Sequence, residues 1–540
     1  MKLRSRRWQV PALIALAAAG AAGAAQAAMT ESAARRFLDQ ASFGPTDATV
    51  AAAMATNRAG WLAQQFTLAN SDYSGYAYMD PNPTVGCPTG SATTCRRDNY
   101  TIFPLQRQCF ENALVNPDQL RQRVALALSE ILVTSGQQIR QPYAMANYQR
   151  IFLADAFTNF RQILQDVTLS PAMGNYLNMA NNAKGNPARG TTANENYGRE
   201  VLQLFSVGLV MLNPDGSAQL DGHGAPLPTY SQAVVEGYSS AFTGWTYPPR
   251  AGSTAKFGDP VDFEGPMIAF ASQHDETAKT LLAGVMLPPN QTPAADLKGA
   301  LDSIFNHPNV GPFIGRRLIQ QLVTSNPSPA YVARVTAAFD AAPRGDMKHV
   351  IRAILLDPEA SAPAAPSTFG KLREPIVQLT RLFRALGGSS DGVWLLQQAS
   401  ALGEPVFSPA TVFNFYPPDY ALPDDPGLLG PTFGVYNAST AFVLSGALAT
   451  ALSANGVSAD PTVAGATGSR IDLGAWQGLA ATPSSLVAQI NRVLFAGTMS
   501  PTLQSTVASA SLTQPASNPL ARVRAALFVA VMSPEYLVEH

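Results

Sequence analysis

The chain of 540 residues carries 36 Lys and Arg against 37 Asp and Glu, a formal net charge of −1. That balance excludes the broadly basic face of a nucleic-acid-binding protein, and 46% hydrophobic residues with 9% aromatics exclude a disordered chain. Charged residues make up only 14% of the sequence, so any local clustering of them is informative.

Residues 1–27 have the layout of an export signal. Lys2, Arg4, Arg6 and Arg7 form a positive segment and Leu13 to Ala25 an Ala-rich apolar stretch. Ala25-Gln26-Ala27 supplies the small residues of a cleavage site, which leaves Ala28 as the mature N-terminus. The apolar stretch is too short and too rich in alanine to span a bilayer, and no later segment has the length. The expectation is therefore export to the periplasm or the cell exterior. Ser5-Arg6-Arg7 keeps the twin-arginine route open beside the general secretory one.

Cys87 and Cys95 flank a loop rich in Pro, Gly and Thr, at a spacing that a disulfide closes in an oxidising compartment. Cys109 is then left unpaired. Competition from Cys109 for either partner, or three free thiols, are the alternatives.

From there the periodicity is helical. Leu120, Val124, Leu128 and Ile131 mark one buried face, introduced by Pro117 and Asp118. Phe152, Ala156, Phe160 and Ile163 repeat the pattern and predict a helix over Tyr148 to Leu164. Further helices are predicted near Ala295 to Phe305, Pro312 to Val323, Tyr331 to Phe339, Lys348 to Leu356 and Leu372 to Leu386. Strand signals are sparse: Met267 to Ser272 and Leu281 to Leu287 predict one hairpin around His274 to Thr277. Pro405 to Pro431 reads as an ordered extended loop and Ser453 to Ser469 as a surface loop, before helices resume at Ser484 to Phe495 and Pro519 to Met532. The fold expected is mainly α, a large multi-helix globular body with at most a small β-hairpin. Residues 28–390 would form the main body, and 391–540 a loop-rich and helical portion packed on it.

The densest charge lies in Asn194 to Leu209, N-E-N-Y-G-R-E-V-L-Q-L-F-S-V-G-L. Tyr197, Val201, Leu204 and Phe205 form its core stripe. Asn196, Arg199 and Glu200 face elsewhere and offer an acid/base or substrate-clamping set. Thr192-x-x-Glu195 has capping-box spacing, and Glu195 with Arg199 at i, i+4 has that of a surface ion pair. Thr229-x-x-Gln232, again at capping-box spacing, opens a second helix, whose Tyr230, Val234, Tyr238, Phe242 and Trp245 read as core. His274, one of five histidines, sits in the predicted hairpin turn, where it reads as exposed, or as a base or ligand beside Asp275. The candidate catalytic residues are Arg199, Glu200 and His274. No H-E-x-x-H, G-x-S-x-G, P-loop, post-strand G-x-G-x-x-G or C-x-x-C is present, so neither cofactor-binding nor metal residues are assigned.

A series of segments resembles the bacterial proteins grouped as domain of unknown function 1800. They are Ala34 to Thr46, Q-L-R-Q-R-V-A-L-A-L-S (Gln119 to Ser129), Phe160 to Leu164 with Ser170 to Leu177, and N-E-N-Y-G-R-E (Asn194 to Glu200). F-T-G-W (Phe242 to Trp245), His274 to Lys279, Leu322 to Pro329, K-L-R-E-P (Lys371 to Pro375) and V-F-N-F-Y-P-P-D-Y (Val412 to Tyr420) complete it. The resemblance implies export, a helical fold and a secreted partner resembling the sulfatase and alkaline-phosphatase superfamily, but no mechanism. In another branch Glu and His stand where this chain has Gln203 and Phe205, which removes two potential metal ligands. Two functional expectations follow: a binding or assembly partner of another secreted protein, and a hydrolase-like exported enzyme with a polar cleft around Arg199 and Glu200.

Overall fold

The computed structural model describes residues 29–258, 261–361 and 368–539, so the signal-like residues 1–27 lie outside the described residues. The chain is mainly α, and one continuous apolar core runs from Met29 to Leu537. Strands occur as five antiparallel pairs among the described residues. No helix there is long and apolar enough to cross a membrane.

Most predicted helices form within a few residues of their expected ends, because their apolar faces have nowhere else to go. Gln119–Ile131 sits deepest: every residue except Arg121 is buried. Val310–Leu322, Pro329–Asp340 and Met347–Leu355 pack in succession. Pro375–Ala385 is shorter than expected because Lys371–Leu372 forms a strand instead.

Three local expectations are corrected. The helix over Tyr148 to Leu164 is two helices, Pro142–Asp155 and Phe160–Leu169. Asn159 restarts the second by accepting a hydrogen bond from Arg161 N, and Phe160 N bonds Gly345 O across the break. The expected hairpin does not form as one unit. Ile268–Ala269 pairs with Trp245–Thr246, and Lys279–Thr280 with Met286–Leu287. The turn between them points inward, which makes His274 fully buried rather than exposed. The two capping boxes are also absent: the helices Asn196–Gln203 and Gln232–Ala241 start at Glu195 and Ser231 without side-chain caps.

Those two helices cross closely because one contact residue is glycine. A Cβ on Gly198 would lie 2.7 Å from Ser239 Oγ and 3.1 Å from its backbone nitrogen. Tyr197 and Phe242 then meet edge to face at 5.3 Å. Tyr238, Phe242 and Trp245 are buried, as their spacing predicts. Cys87 and Cys95 form a disulfide and Cys109 is free and buried.

Candidate functional site

The residues singled out by local charge density engage in separate structures. Arg199 Nη2 donates to Glu195 Oε2 at 2.6 Å and to Gln232 Oε1 at 3.2 Å, making the i, i+4 pair that the spacing allows. Asn196 bonds Asn178. Glu200 is half-buried with Oε2 unbonded; burial raises its carboxyl above the usual range, and Arg199 pulls the other way. His274 is locked in a different place. Its Nδ1 faces Thr243 O at 2.9 Å, and its Nε2 faces Asp296 Oδ2 at 2.9 Å. Lys279 Nζ completes a fully buried triad at 2.7 Å from the same carboxylate oxygen. None of His274's hydrogen bonds reaches Arg199 or Glu200.

A second group of titratable residues meets in the core, brought together from three distant segments. Glu130 comes from the Gln119–Ile131 helix, Glu374 precedes Pro375 at a helix start, and Glu404 follows the Val393–Ala401 helix. Their exposures are 8%, 1% and 0%, and one oxygen from each lies within 4.8 Å of the others. Backbone chemistry explains the placement of two of them. The residue before proline favours extended backbone, and Glu374 has φ −66°, ψ 150°. Helix first-turn N–H groups lack internal acceptors, and Glu404 Oε2 serves one of them, Ile376 N, at 3.0 Å.

One oxygen each of Glu374 and Glu404 is held by a hydrogen bond, and the other oxygens of the cluster are not. Tyr416 donates its hydroxyl to Glu374 Oε2 at 2.9 Å. Glu374 Oε1, Glu404 Oε1 and both oxygens of Glu130 accept no hydrogen bond. Arg123 Nη2 lies 3.2 Å from Glu374 Oε1 but donates to Gln321 O at 2.6 Å. Lys371 Nζ also bonds Gln321 O. Burial, and then the Glu374 charge, push the Glu130 and Glu404 carboxyls well above the usual range. Burial and the Arg123 charge lower Lys371.

Around the cluster the buried charge continues. Arg373 donates to Tyr536 O, and Asp39 binds Arg381 at 2.7 Å. The strand Val538–Glu539 pairs with Lys371–Leu372, which seats Glu539 opposite Lys371. On the other side, Glu130 and Lys371 reach a cleft of about 690 Å³ of atom-free space, part of it open to solvent. Arg317, Gln320, Asn414 and Tyr416 contribute its polar wall, and Leu204 is the one residue of the Asn194 to Leu209 stretch that lines it. Arg199, Glu200 and His274 do not line this cleft. A smaller, narrow pocket, about 290 Å³ of atom-free space including open solvent, lies against Glu130 and Glu404, with Thr134 and Asn414.

Sequence reasoning passed over the three glutamates because each is locally unremarkable. One signal was present: Glu130 stands alone in the apolar run Val124 to Leu132, where a glutamate is rarely buried without a purpose. Glu374 lies inside K-L-R-E-P, Tyr416 inside V-F-N-F-Y-P-P-D-Y, and Glu130 directly follows Q-L-R-Q-R-V-A-L-A-L-S. The segments scattered along the chain thus converge on one place.

Fold and site together define a large helical protein with a buried carboxylate centre beneath a cleft. The chain belongs to the family described as Protein of unknown function (DUF1800), which it matches over residues 36–538. No curated protein and no solved structure matches it.

Proposed function

We propose that the protein is an exported, hydrolase-like enzyme whose reaction takes place in the cleft over Glu130. The observation that carries this reading is a carboxylate at the cleft with neither oxygen bonded. Burial and the Glu374 charge raise this carboxyl well above the usual range, and carboxyls perturbed in this way gather where chemistry needs them. Lys371, Arg317, Gln320, Asn414 and Tyr416 converge on the same otherwise apolar concavity, the usual layout of a small-molecule site. Cations and amide donors there suit an oxygen that gains negative charge during hydrolysis. Export is supported by the layout of residues 1–27.

The test is a screen of the purified chain against ester, glycoside, peptide, phosphate-ester and sulfate-ester substrates, repeated with Glu130→Gln. Hydrolysis of one class, lowered at least a hundredfold in a folded Glu130→Gln variant, supports the reading. Turnover that Glu130→Gln leaves intact counts against it, as does a screen without turnover in any class.

A binding or assembly role beside a second exported protein has one observation in its favour. Phe442 is 81% exposed and Phe413, at the cleft, 49%; large aromatics exposed to this degree are typical of contact surfaces. Crosslinking in the producing cell, with Phe442→Ser as control, tests that role.

A further inference from the structure

The division between bonded and unbonded oxygens in the buried cluster has a chemical reading. In a cation site, each ligand carboxylate is anchored outward by a hydrogen bond and presents its other oxygen inward. Glu374 is anchored by Tyr416 and Glu404 by Ile376 N, each through Oε2, and in both residues Oε1 is left without a hydrogen bond. Glu130 is 8% exposed, neither of its oxygens receives a hydrogen bond from a protein donor, and its carboxyl faces Glu374 across the same space.

Charge leads to the same place. Three carboxylates face Arg123 and Lys371, and in the wider buried set Asp39 and Glu539 add two acids while Arg373 and Arg381 add two cations. In the inner set acids exceed cations by one. Arg123 Nη2 donates to Gln321 O and also lies 3.2 Å from Glu374 Oε1, so it offsets one of the three carboxylates. Like charges this close in a dry site repel strongly, and a bound cation removes that repulsion.

We infer that Glu130, Glu374 and Glu404 form a binding site for one hard divalent cation of calcium or manganese type. An all-carboxylate donor set selects such ions over zinc or copper. The three oxygens lie within 4.8 Å of one another, so a point within about 2.8 Å of all three exists. Calcium–oxygen bonds of about 2.3–2.6 Å need only a few tenths of an ångström of side-chain adjustment. Asn414 and Thr134, which share the pocket with Glu130 and Glu404, supply neutral oxygens at its edge. The cleft at Glu130 gives the ion an entry path.

The inference shares its location with the proposed hydrolase, yet it is measured without substrate. The full chain is stripped with EDTA and titrated with Ca²⁺ or Mn²⁺ alone by calorimetry. One ion per chain is expected, with a melting temperature several degrees higher in millimolar Ca²⁺. Glu130→Gln and Glu404→Gln weaken binding at least tenfold, whereas the exposed Glu236→Gln leaves it unchanged. Terbium luminescence on the unmutated chain, sensitised by Tyr416 and displaced by Ca²⁺, gives a readout that needs no variant to fold. No stoichiometric ion at millimolar Ca²⁺ or Mn²⁺, or equal binding by Glu130→Gln, overturns the inference. Hydrolysis that persists in stripped, ion-free protein overturns it as the centre of the reaction and leaves the hydrolase reading standing. One bound ion without turnover in the screen supports the site and sinks the hydrolase reading alone.

Discussion

Arg381 grips Asp39 through two parallel hydrogen bonds, Nε to Oδ1 at 2.7 Å and Nη2 to Oδ2 at 3.0 Å, joining residues 342 positions apart. The pair ties the first described helix, Glu31–Ala41, to Pro375–Ala385, whose N-terminus is preceded by Glu374. Arg373 approaches the same carboxylate at 3.6 Å. Asp39→Asn leaves two buried guanidinium groups facing each other without their counter-ion. The expected loss is about 3–5 kcal/mol in urea unfolding, and adding Arg381→Met restores part of it. A loss below about 1 kcal/mol would mean the pair is far less buried than its geometry says.

The His274–Asp296–Lys279 triad predicts a pH response. Burial alone raises the Asp296 carboxyl, but hydrogen bonds from His274 and Lys279 outweigh it and hold the group below the usual range. A depressed acid contributes stability above its unfolded value, near pH 4, and that contribution is lost as pH falls through the folded value. Asp296→Asn is therefore expected to melt several degrees lower than the parent chain at pH 7. The gap narrows below pH 4. Melting curves at pH 3 and pH 7 check this; a gap that is the same at both refutes it.

Asp155 has the opposite sign. It ends the Pro142–Asp155 helix, and burial first, then the neighbouring Asp166, push its carboxyl up to about 7. A raised acid favours the folded state most at low pH: its contribution is complete below about pH 4 and declines as pH rises to 7. Asp155→Asn should match the parent near pH 4 and be more stable at pH 8, by on the order of 2 kcal/mol after allowance for solvent screening. Thermal melts across pH 4–8 show whether the two curves separate.

Cys109 should be chemically silent. Burial pushes its thiol up to about 12, against a smaller opposing effect of the Tyr73 hydrogen bond, so almost no thiolate forms at neutral pH. A chromogenic disulfide reagent is expected to detect no thiol in the native chain and one per chain in guanidinium, because Cys87 and Cys95 are joined. Rapid reaction of the native protein, or three thiols after unfolding, contradicts the assignment.

The helical fold was legible because helix burial repeats every three to four residues and needs only local sequence. Leu120, Val124, Leu128 and Ile131 are buried as their spacing requires. The break at Asn159 was hidden because Phe152, Ala156, Phe160 and Ile163 keep helical spacing across it, while the bond that restarts the chain comes from Gly345. Gly244 in F-T-G-W shows a motif explained only by tertiary contact. It has φ +82°, and a Cβ there would come within 2.9 Å of Phe270 O. The site was illegible for the same reason. Arg199 and Glu200 stand out by density, yet neighbours on one helix face satisfy each other in solvent, as Arg199 and Glu195 do. Glu130, Glu374 and Glu404 are spread over 274 positions, and only the packed core reveals that they meet.

That spread also orders events in time. Residues 538–539 pair with Lys371 and Leu372, and Tyr536 O receives Arg373, so the wall behind the three glutamates is finished by a segment made after all three of them. A nascent chain emerging from the ribosome carries Glu130 and Glu374 long before that wall exists. Contacts this distant in sequence form slowly and expose apolar surface while they wait. Folding of the centre thus waits for that segment, and a chaperone that shelters the unfinished chain would set its yield.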